Sequence, residues 1–313
     1  MTRLTLLLPP GERLADIVLP ASLAKAFGRS DVVTGQPGEH AQLSRHFRLL
    51  PDRWPHAALT RVADAGLDDA RSTAWLRADP AYIRPDINGA RLLATGAPLS
   101  MSEQDVEAFL PALRPLFGDA GFILDAPHPT RWYLRLPRET HLPDFPAPDQ
   151  ALGEDVFDHM PDGQHARRWR TLLSETQVML HNHPRNAERA SAGLVPVNSL
   201  WFWGGGLLPD NATSDSTIVF SDDPVLNGLA GIGTFNAMPL ADSTGFESTT
   251  DHTLIDLRAI RDPRVLIERW LQPAQRLAER GHVTFDFADG RVFRLQPGQR
   301  WRFWRKPRTA LTV

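Results

Sequence analysis

Apolar residues along this chain follow two patterns: short unbroken runs closed by proline or glycine, and longer stretches in which they return about every three to four positions. The first pattern suits strands covered on both faces and the second suits helices with one buried side. Their alternation predicts an α/β fold. Leu4–Leu8, closed by Pro9, Pro10 and Gly11, reads as a buried parallel strand. Helices are expected over 15–27 and 39–50, the second through Leu43, Phe47 and Leu50. Thr73–Arg77 reads as a further strand, and the ADPAYIRPD that follows as a loop.

Ser100 and Glu103 fit a capping box, and Val106, Phe109, Leu113 and Leu116 continue an apolar helical face. Pro111 and Pro115 each lack an amide donor and crowd the preceding turn, so a kink or two short helices are expected there. FILD and RWYLRLP flank the turn APHPT as two strands, and the proline-rich PRETHLPDFPAPDQ reads as a linker. These elements outline a smaller α+β unit over 71–137, inserted into a main α/β domain made of 1–70 and 138–313. Arg167–Leu180 places Trp169, Leu172, Leu173, Thr176 and Met179 on one helical face. Ser216–Phe220 is strand-like, and Asp223–Phe235 reads as a helix broken by glycines. Asp262 can cap a helix with Pro263 at its first position, running to Gly281. Val283, Phe285 and Phe287 then alternate, Asp289-Gly290 makes a hairpin turn, and Phe293 and Leu295 return.

With 313 residues, 42% of them hydrophobic, the chain can bury a sizeable core. The formal charge of −3 supplies no global basic field, so nucleic acid and anionic membrane are not expected as partners. The absence of cysteine removes disulfides, thiolate nucleophiles and cysteine metal sites together. Lys25 and Lys306 are the only lysines, and neither sits in a phosphate-binding loop or a Schiff-base setting. The apolar run at Leu4–Leu8 is shorter than a secretory signal core, and no run approaches the roughly 20 residues of a membrane span. A soluble, cytoplasmic protein is expected.

The densest chemistry lies in His181–Gly206, HNHPRNAERASAGLVPVNSLWFWGGG. Arg185 and Arg189 could hold a phosphate or carboxylate bidentately, and the amides of Gly204, Gly205 and Gly206 could form an anion nest if a turn or helix follows. Alternatively, the glycines allow backbones to approach closely and His183-Pro184 fixes a turn. Two other places carry candidate chemistry. Asp222-Asp223 suits helix capping before Pro224 better than metal binding, because adjacent strand residues point to opposite faces. The segment 291–308 carries seven basic residues, no acidic ones, and Phe293, Trp301, Phe303 and Trp304. Base stacking is one use of such a pattern. The preferred reading is a half-buried edge strand with arginines facing water and tryptophans packed inward.

The central stretch resembles a segment of archaeal-type, cofactor-independent phosphoglycerate mutases, at His183-Pro184, Asn186, Arg189, Gly193, Asn198 and Gly204–Gly206. GEDVFDHMP is similar to that family's Asp-rich motif, at Asp155, Asp158 and His159, and DDPVLNGLAGIGTFNAM to its following helix. WLRADPAYIRPD, RWYLRLP, NSLWFWGGG and the RFWRK ending resemble a bacterial family described as RpfE-type regulatory proteins, a shortened relative of those mutases. The resemblance implies an alkaline-phosphatase-like mixed or parallel sheet flanked by helices, with an inserted smaller domain. In the active mutases two divalent metals flank a phosphoryl-accepting nucleophile. This chain departs there: Pro9, Pro10 and Gly11 stand where the family carries a metal-binding Asp, and Asp251-His252 is the only Asp-His pair in the last hundred residues. The resemblance therefore implies a catalytically degenerate relative, without catalytic or metal-ligating residues. Such a protein would bind a phosphorylated or carboxylated metabolite through His183, Arg185, Asn186, Arg189, Asn198, Gly204–Gly206, Asp155, Asp158 and His159. An active phosphotransferase using manganese or magnesium is the alternative, and a module recruiting a protein or nucleic acid is the second.

Overall fold

The computed structural model describes residues 2–15, 17–86, 89–160, 166–243 and 252–311. The chain begins with β1 (Arg3–Leu8), α1 (Ala21–Arg29), β2 (Asp31–Thr34), α2 (Glu39–Ser44) and β3 (Phe47–Leu50). Next come α3 (His56–Ala65), α4 (Leu67–Arg71), β4 (Ala74–Asp86), β5 (Gly89–Thr95) and α5 (Glu103–Asp119). β6 (Ile123–His128), β7 (Arg131–Leu136), α6 (Pro148–Ala151), α7 (Ala166–His181), α8 (Pro184–Ser191) and β8 (Ser199–Leu207) follow. The last third holds β9 (Asn211–Ser214), β10 (Ile218–Phe220), α9 (Pro224–Ile232), β11 (Asn236–Met238), β12 (His252–Asp256), β13 (His282–Phe287) and β14 (Arg291–Leu295). Two compact units result: Met1–Asp52 with Asp210–Val313, and Arg53–Pro209.

The first unit carries the mixed, mostly parallel sheet expected from the sequence. Its strand order is β11-β10-β12-β1-β13-β14-β2. β1 runs parallel to both β12 and β13, and only β14 reverses direction, with β2 antiparallel to it and so aligned with the rest. Leu4, Leu6 and Leu8 share one core cluster with Ile255, Phe285, Phe287 and the buried side of α1, while Leu7 is fully buried on the opposite face. That two-sided burial explains the unbroken apolar run of β1. Flanking helices include α9, capped by Asp223, and a C-terminal helical segment capped by Asp262, as the sequence suggested. That segment passes through a π-helix at Leu266–Leu271, and α9 is unbroken despite its glycines.

The second unit is an antiparallel sheet, β5-β4-β7-β6 with β8 along β4, backed by α5 and α7. Here the boundaries differ from those read in the sequence, which gave 71–137 to the smaller unit. β8 pairs with β4 from Ala81↔Ser199 to Ala74↔Leu207, so the central stretch belongs to this unit and not to the main sheet. The segment 137–150 is no linker either, since Phe145 packs edge-on against Trp169 and Phe202.

Several elements correct the sequence reading for identifiable reasons. The helix expected over 39–50 stops at Ser44, because Phe47 and Leu49 alternate buried with exposed neighbours and pair with β9. β4 continues through the segment read as a loop. Its Pro80 falls between Arg77, the last residue paired to β7, and Ala81, the first paired to β5, where that edge has no partner to satisfy. The cap of α5 is Ser102 with Asp105, not Ser100 with Glu103, and α5 is one helix despite Pro111 and Pro115. Burial of Val106, Phe109, Leu110, Leu113 and Phe117 on one face offsets the lost hydrogen bonds. No described helix is long and apolar enough to cross a membrane.

Candidate functional site

The central stretch folds as a short helix, a turn and a strand, and its polar side chains turn inward. His183 caps α8, its Nδ1 accepting from the Arg185 amide at 3.2 Å. The Asn186 amide donates to the carbonyls of Leu180 (2.7 Å) and Val197 (2.8 Å) and accepts from the Val197 amide (2.9 Å). Asn198 repeats this use on β4, accepting from the Ile83 amide and donating to its carbonyl. Both asparagines supply the backbone partners that an irregular segment lacks.

The two arginines meet one carboxylate. Arg185 Nε donates to Asp105 Oδ1 (2.7 Å), and Arg189 Nη1 to Asp105 Oδ2 (2.6 Å). Arg189 is 1% exposed, and its Nε and Nη2 also reach the carbonyls of Val195 and Leu99. Burial alone would raise the Asp105 carboxyl. The Ser102 amide and hydroxyl together with the two guanidiniums outweigh it and hold Asp105 below the ordinary carboxylate value. Arg189 thus has no face left for a ligand, and Arg185 divides its donors between Asp105 and Glu188.

Gly204, Gly205 and Gly206 lie inside β8, which continues to Leu207, so no helix or turn follows to build an anion nest. A Cβ on Gly205 would stand 2.3 Å from a methyl of Leu142 and 2.9 Å from one of Leu76. Gly204, at φ +64°, faces His56. The glycines serve close packing. Gly205→Ala is expected to cost about 1–3 kcal/mol by overpacking, measurable as a lowered urea midpoint; an unchanged midpoint would contradict the packing role.

Asp155, Asp158 and His159 form a separate place. Asp155 caps the turn Val156–His159 by accepting from the Phe157 amide, and also accepts from Ala90. His159 Nε2 pairs with Glu154 at 2.6 Å, and Asp158 is exposed. Among the described residues no hydrogen bond or ion pair joins these three to Arg185 or Arg189.

A cluster that the sequence reading missed lies at the carboxyl ends of β10 and β12, the edge where open α/β sheets bind ligands. Asp256 Oδ1 and Oδ2 accept from Arg258 Nε and Nη2, both at 2.8 Å, and Oδ2 also accepts from the Ser221 hydroxyl. Arg258 Nη2 reaches Asp223 at 2.6 Å, and Nη1 lies 3.6 Å from Glu39. Burial alone would lower the Arg258 pKa; the surrounding carboxylates outweigh it and push it above the ordinary guanidinium value. Next to it, past β1, the Gly11 amide donates to Asp289, itself paired with Arg291. Asp223 doubles as the cap of α9 and Asp222 accepts from the Leu240 amide, so the expected capping at this pair is present. The signal in the sequence was the Asp-Leu-Arg that closes β12.

This acidic edge does not fit a divalent metal as it stands. Its carboxylates converge on a guanidinium, and among the described residues no group of three or more His, Cys, Asp or Glu could hold a metal ion. Asp251 lies outside the described residues, and His252 Nδ1 contacts the Asp215 carbonyl at 2.9 Å.

The C-terminal segment reverses its expected orientation. Trp301, Phe303 and Trp304 are exposed, at 64%, 77% and 69%. Arginines hold the segment down instead: Arg302 pairs with Asp31 and Arg305 donates to the Ser30 carbonyl. The backbone rests on Gly28, where a Cβ would meet the Lys306 carbonyl at 2.1 Å.

No protein-family model matches the chain. It is 29% identical over 107 residues to a probable 2,3-bisphosphoglycerate-independent phosphoglycerate mutase of Geobacter sulfurreducens, covering 33% of this chain and 27% of that protein. A 2,3-bisphosphoglycerate-independent phosphoglycerate mutase of Methanothrix thermoacetophila is 36% identical over 62 residues, covering 20% of this chain and 16% of that protein. The chain thus spans about a quarter or less of the length of these curated relatives. Among solved structures, a cofactor-independent phosphoglycerate mutase from Thermoplasma acidophilum aligns with a TM-score of 0.45 and 15% identity, over 95% of this chain and 90% of that one. The PH0037 protein from Pyrococcus horikoshii aligns with a TM-score of 0.47 and 13% identity, over 98% of this chain and 90% of that one.

Proposed function

We propose that this chain is a phosphoglycerate-mutase-like protein that has given up metal-dependent phosphoryl transfer and works as a regulatory binder of a phosphorylated or carboxylated metabolite. The observation that carries the proposal is Arg258. Its guanidinium is buried among Asp223, Asp256 and Glu39 at the carboxyl edge of the parallel sheet, bonded to the two aspartates and 3.6 Å from the glutamate. A fixed cation there neutralises carboxylates that a divalent ion would otherwise require. The turn after β1 adds Pro9, Pro10 and Gly11, which bring no carboxylate of their own. Local similarity to phosphoglycerate mutases supports the ancestry.

The experiment combines turnover with binding. Purified protein is incubated with 3-phosphoglycerate, with and without manganese, and followed by phosphorus NMR for 2-phosphoglycerate, while thermal shift reports binding. The expected result is no interconversion under either condition and a metal-independent rise in melting temperature. Manganese-dependent interconversion would establish the protein as an active mutase and overturn the proposal.

A further inference from the structure

The face of the main sheet opposite the α1 core is open along the strands from Arg3 to the level of Asp286, where a cleft of about 430 Å³ is lined by residues of the first unit. Small-molecule sites span roughly 300–1,000 Å³. Strand register arranges its chemistry in rows. Arg3 on β1 pairs in register with His252 on β12 and His282 on β13, so these three share one face across neighbouring strands. One row deeper, Thr5 lies level with Thr284, and Thr284 with Arg294. Arg3 and Arg294 are exposed and carry no side-chain partner among the described residues.

Among the described residues, acidic groups do not cancel this charge. Asp286 is fully buried and held by Arg45, through Nε at 2.9 Å and Nη2 at 2.6 Å, and by His46 Nε2 at 2.7 Å. Burial alone would raise the Asp286 carboxyl; these partners outweigh it and keep it ionised and neutralised. Asp215 on the rim is exposed to solvent. Among the described residues, the cleft therefore presents the guanidiniums of Arg3 and Arg294, the imidazoles of His252 and His282 and the hydroxyls of Thr5 and Thr284, and its buried carboxylate, Asp286, is already satisfied. Guanidiniums and hydroxyls suit the several oxygens of a phosphate group.

We infer that this cleft binds a small phosphate monoester, its phosphate held between Arg3 and Arg294 with the hydroxyls of Thr5 and Thr284. The inference rests on the metabolite-binding half of the proposed function and gives it a location, at the opposite end of the strands from Arg258. Each guanidinium contact is a charge-assisted bond, so losing one costs about tenfold or more in affinity.

The test is calorimetric titration of the whole protein with 3-phosphoglycerate and with inorganic phosphate, for wild type, Arg3→Gln, Arg294→Gln and the control Arg300→Gln, which lies outside the cleft. Both cleft substitutions are on exposed side chains, and unchanged circular dichroism confirms their fold. Binding weakened about tenfold or more in both variants and unchanged in the control is the expected result. Equal affinity in all four proteins overturns the site while leaving metabolite binding intact. No binding by wild type overturns both the site and that half of the proposal.

Discussion

Arg189→Ala is expected to destabilise the second unit by about 3–5 kcal/mol, the loss that follows when one partner of a buried ion pair is removed. The guanidinium bonds Asp105, Leu99 and Val195, tying the start of α5 and the turn before it to the turn after α8. Without it two carbonyls lose their donors, and the Asp105 carboxylate keeps only Ser102 and Arg185. Arg189→Lys recovers only part of the loss, because one ammonium cannot span three acceptors in the plane a guanidinium occupies. Urea unfolding followed by tryptophan fluorescence measures the difference. A loss below about 1 kcal/mol would return Arg189 to the list of ligand-binding candidates.

The same pair makes a pH prediction. Asp105 is held below its ordinary value, so its contribution is fully present above the unfolded carboxylate pKa of about 3.9 and is lost as pH falls through the lower, folded value. Removing Arg189 raises the folded pKa toward the unfolded one. The stability gap between wild type and Arg189→Ala is therefore expected to be widest near neutrality and to shrink below about pH 4. Unfolding curves at pH 7 and pH 3 would show it, and a gap of constant size would mean that Asp105 gains nothing from Arg189.

What was legible in the sequence follows from how local each signal is. β1, α7, the β13–β14 hairpin and the caps at Asp223 and Asp262 are set by neighbouring residues, and each appears where it was read. β4 was legible only in its first residues, because prolines suggest a loop until the switch of edge partners at Pro80 is known. The site was harder to read. Arg185 and Arg189 look like free cations in a sequence, and nothing nearby reveals that Asp105, 80 and 84 positions upstream, has claimed them. Arg258 is the converse case. Asp256 stands two positions before it, but Asp223, 35 positions earlier, is what makes the pair a cluster. The outward turn of Trp301, Phe303 and Trp304 was likewise hidden, because it depends on Arg302 and Arg305 finding partners at Asp31 and Ser30.

Asp79→Ala is expected to cost about 3–5 kcal/mol through the same physics on β4, and here a double replacement separates charge from hydrogen bonding. Asp79 and Arg77 are two apart on one strand and therefore share a face, where Arg77 Nε and Nη2 each donate to Asp79 at 2.8 Å. The carboxylate also accepts from Trp203 Nε1 at 2.7 Å and from the Trp132 amide at 3.3 Å. Alanine at 79 strands a buried guanidinium whose remaining hydrogen bond among the described residues is to Thr60 Oγ1. Replacing both members, Arg77→Met with Asp79→Leu, removes the stranded charge, and apolar substitutes for a buried pair are often neutral or stabilising. The indole of Trp203 and the amide of Trp132 would still lack their acceptor, at about 1–3 kcal/mol for a buried donor left unmade. The double variant is thus expected to fall between wild type and Asp79→Ala, with a favourable coupling energy in the double-mutant cycle. A double variant no more stable than Asp79→Ala would place the cost in the lost acceptor of Trp203 and not in the charge of Arg77.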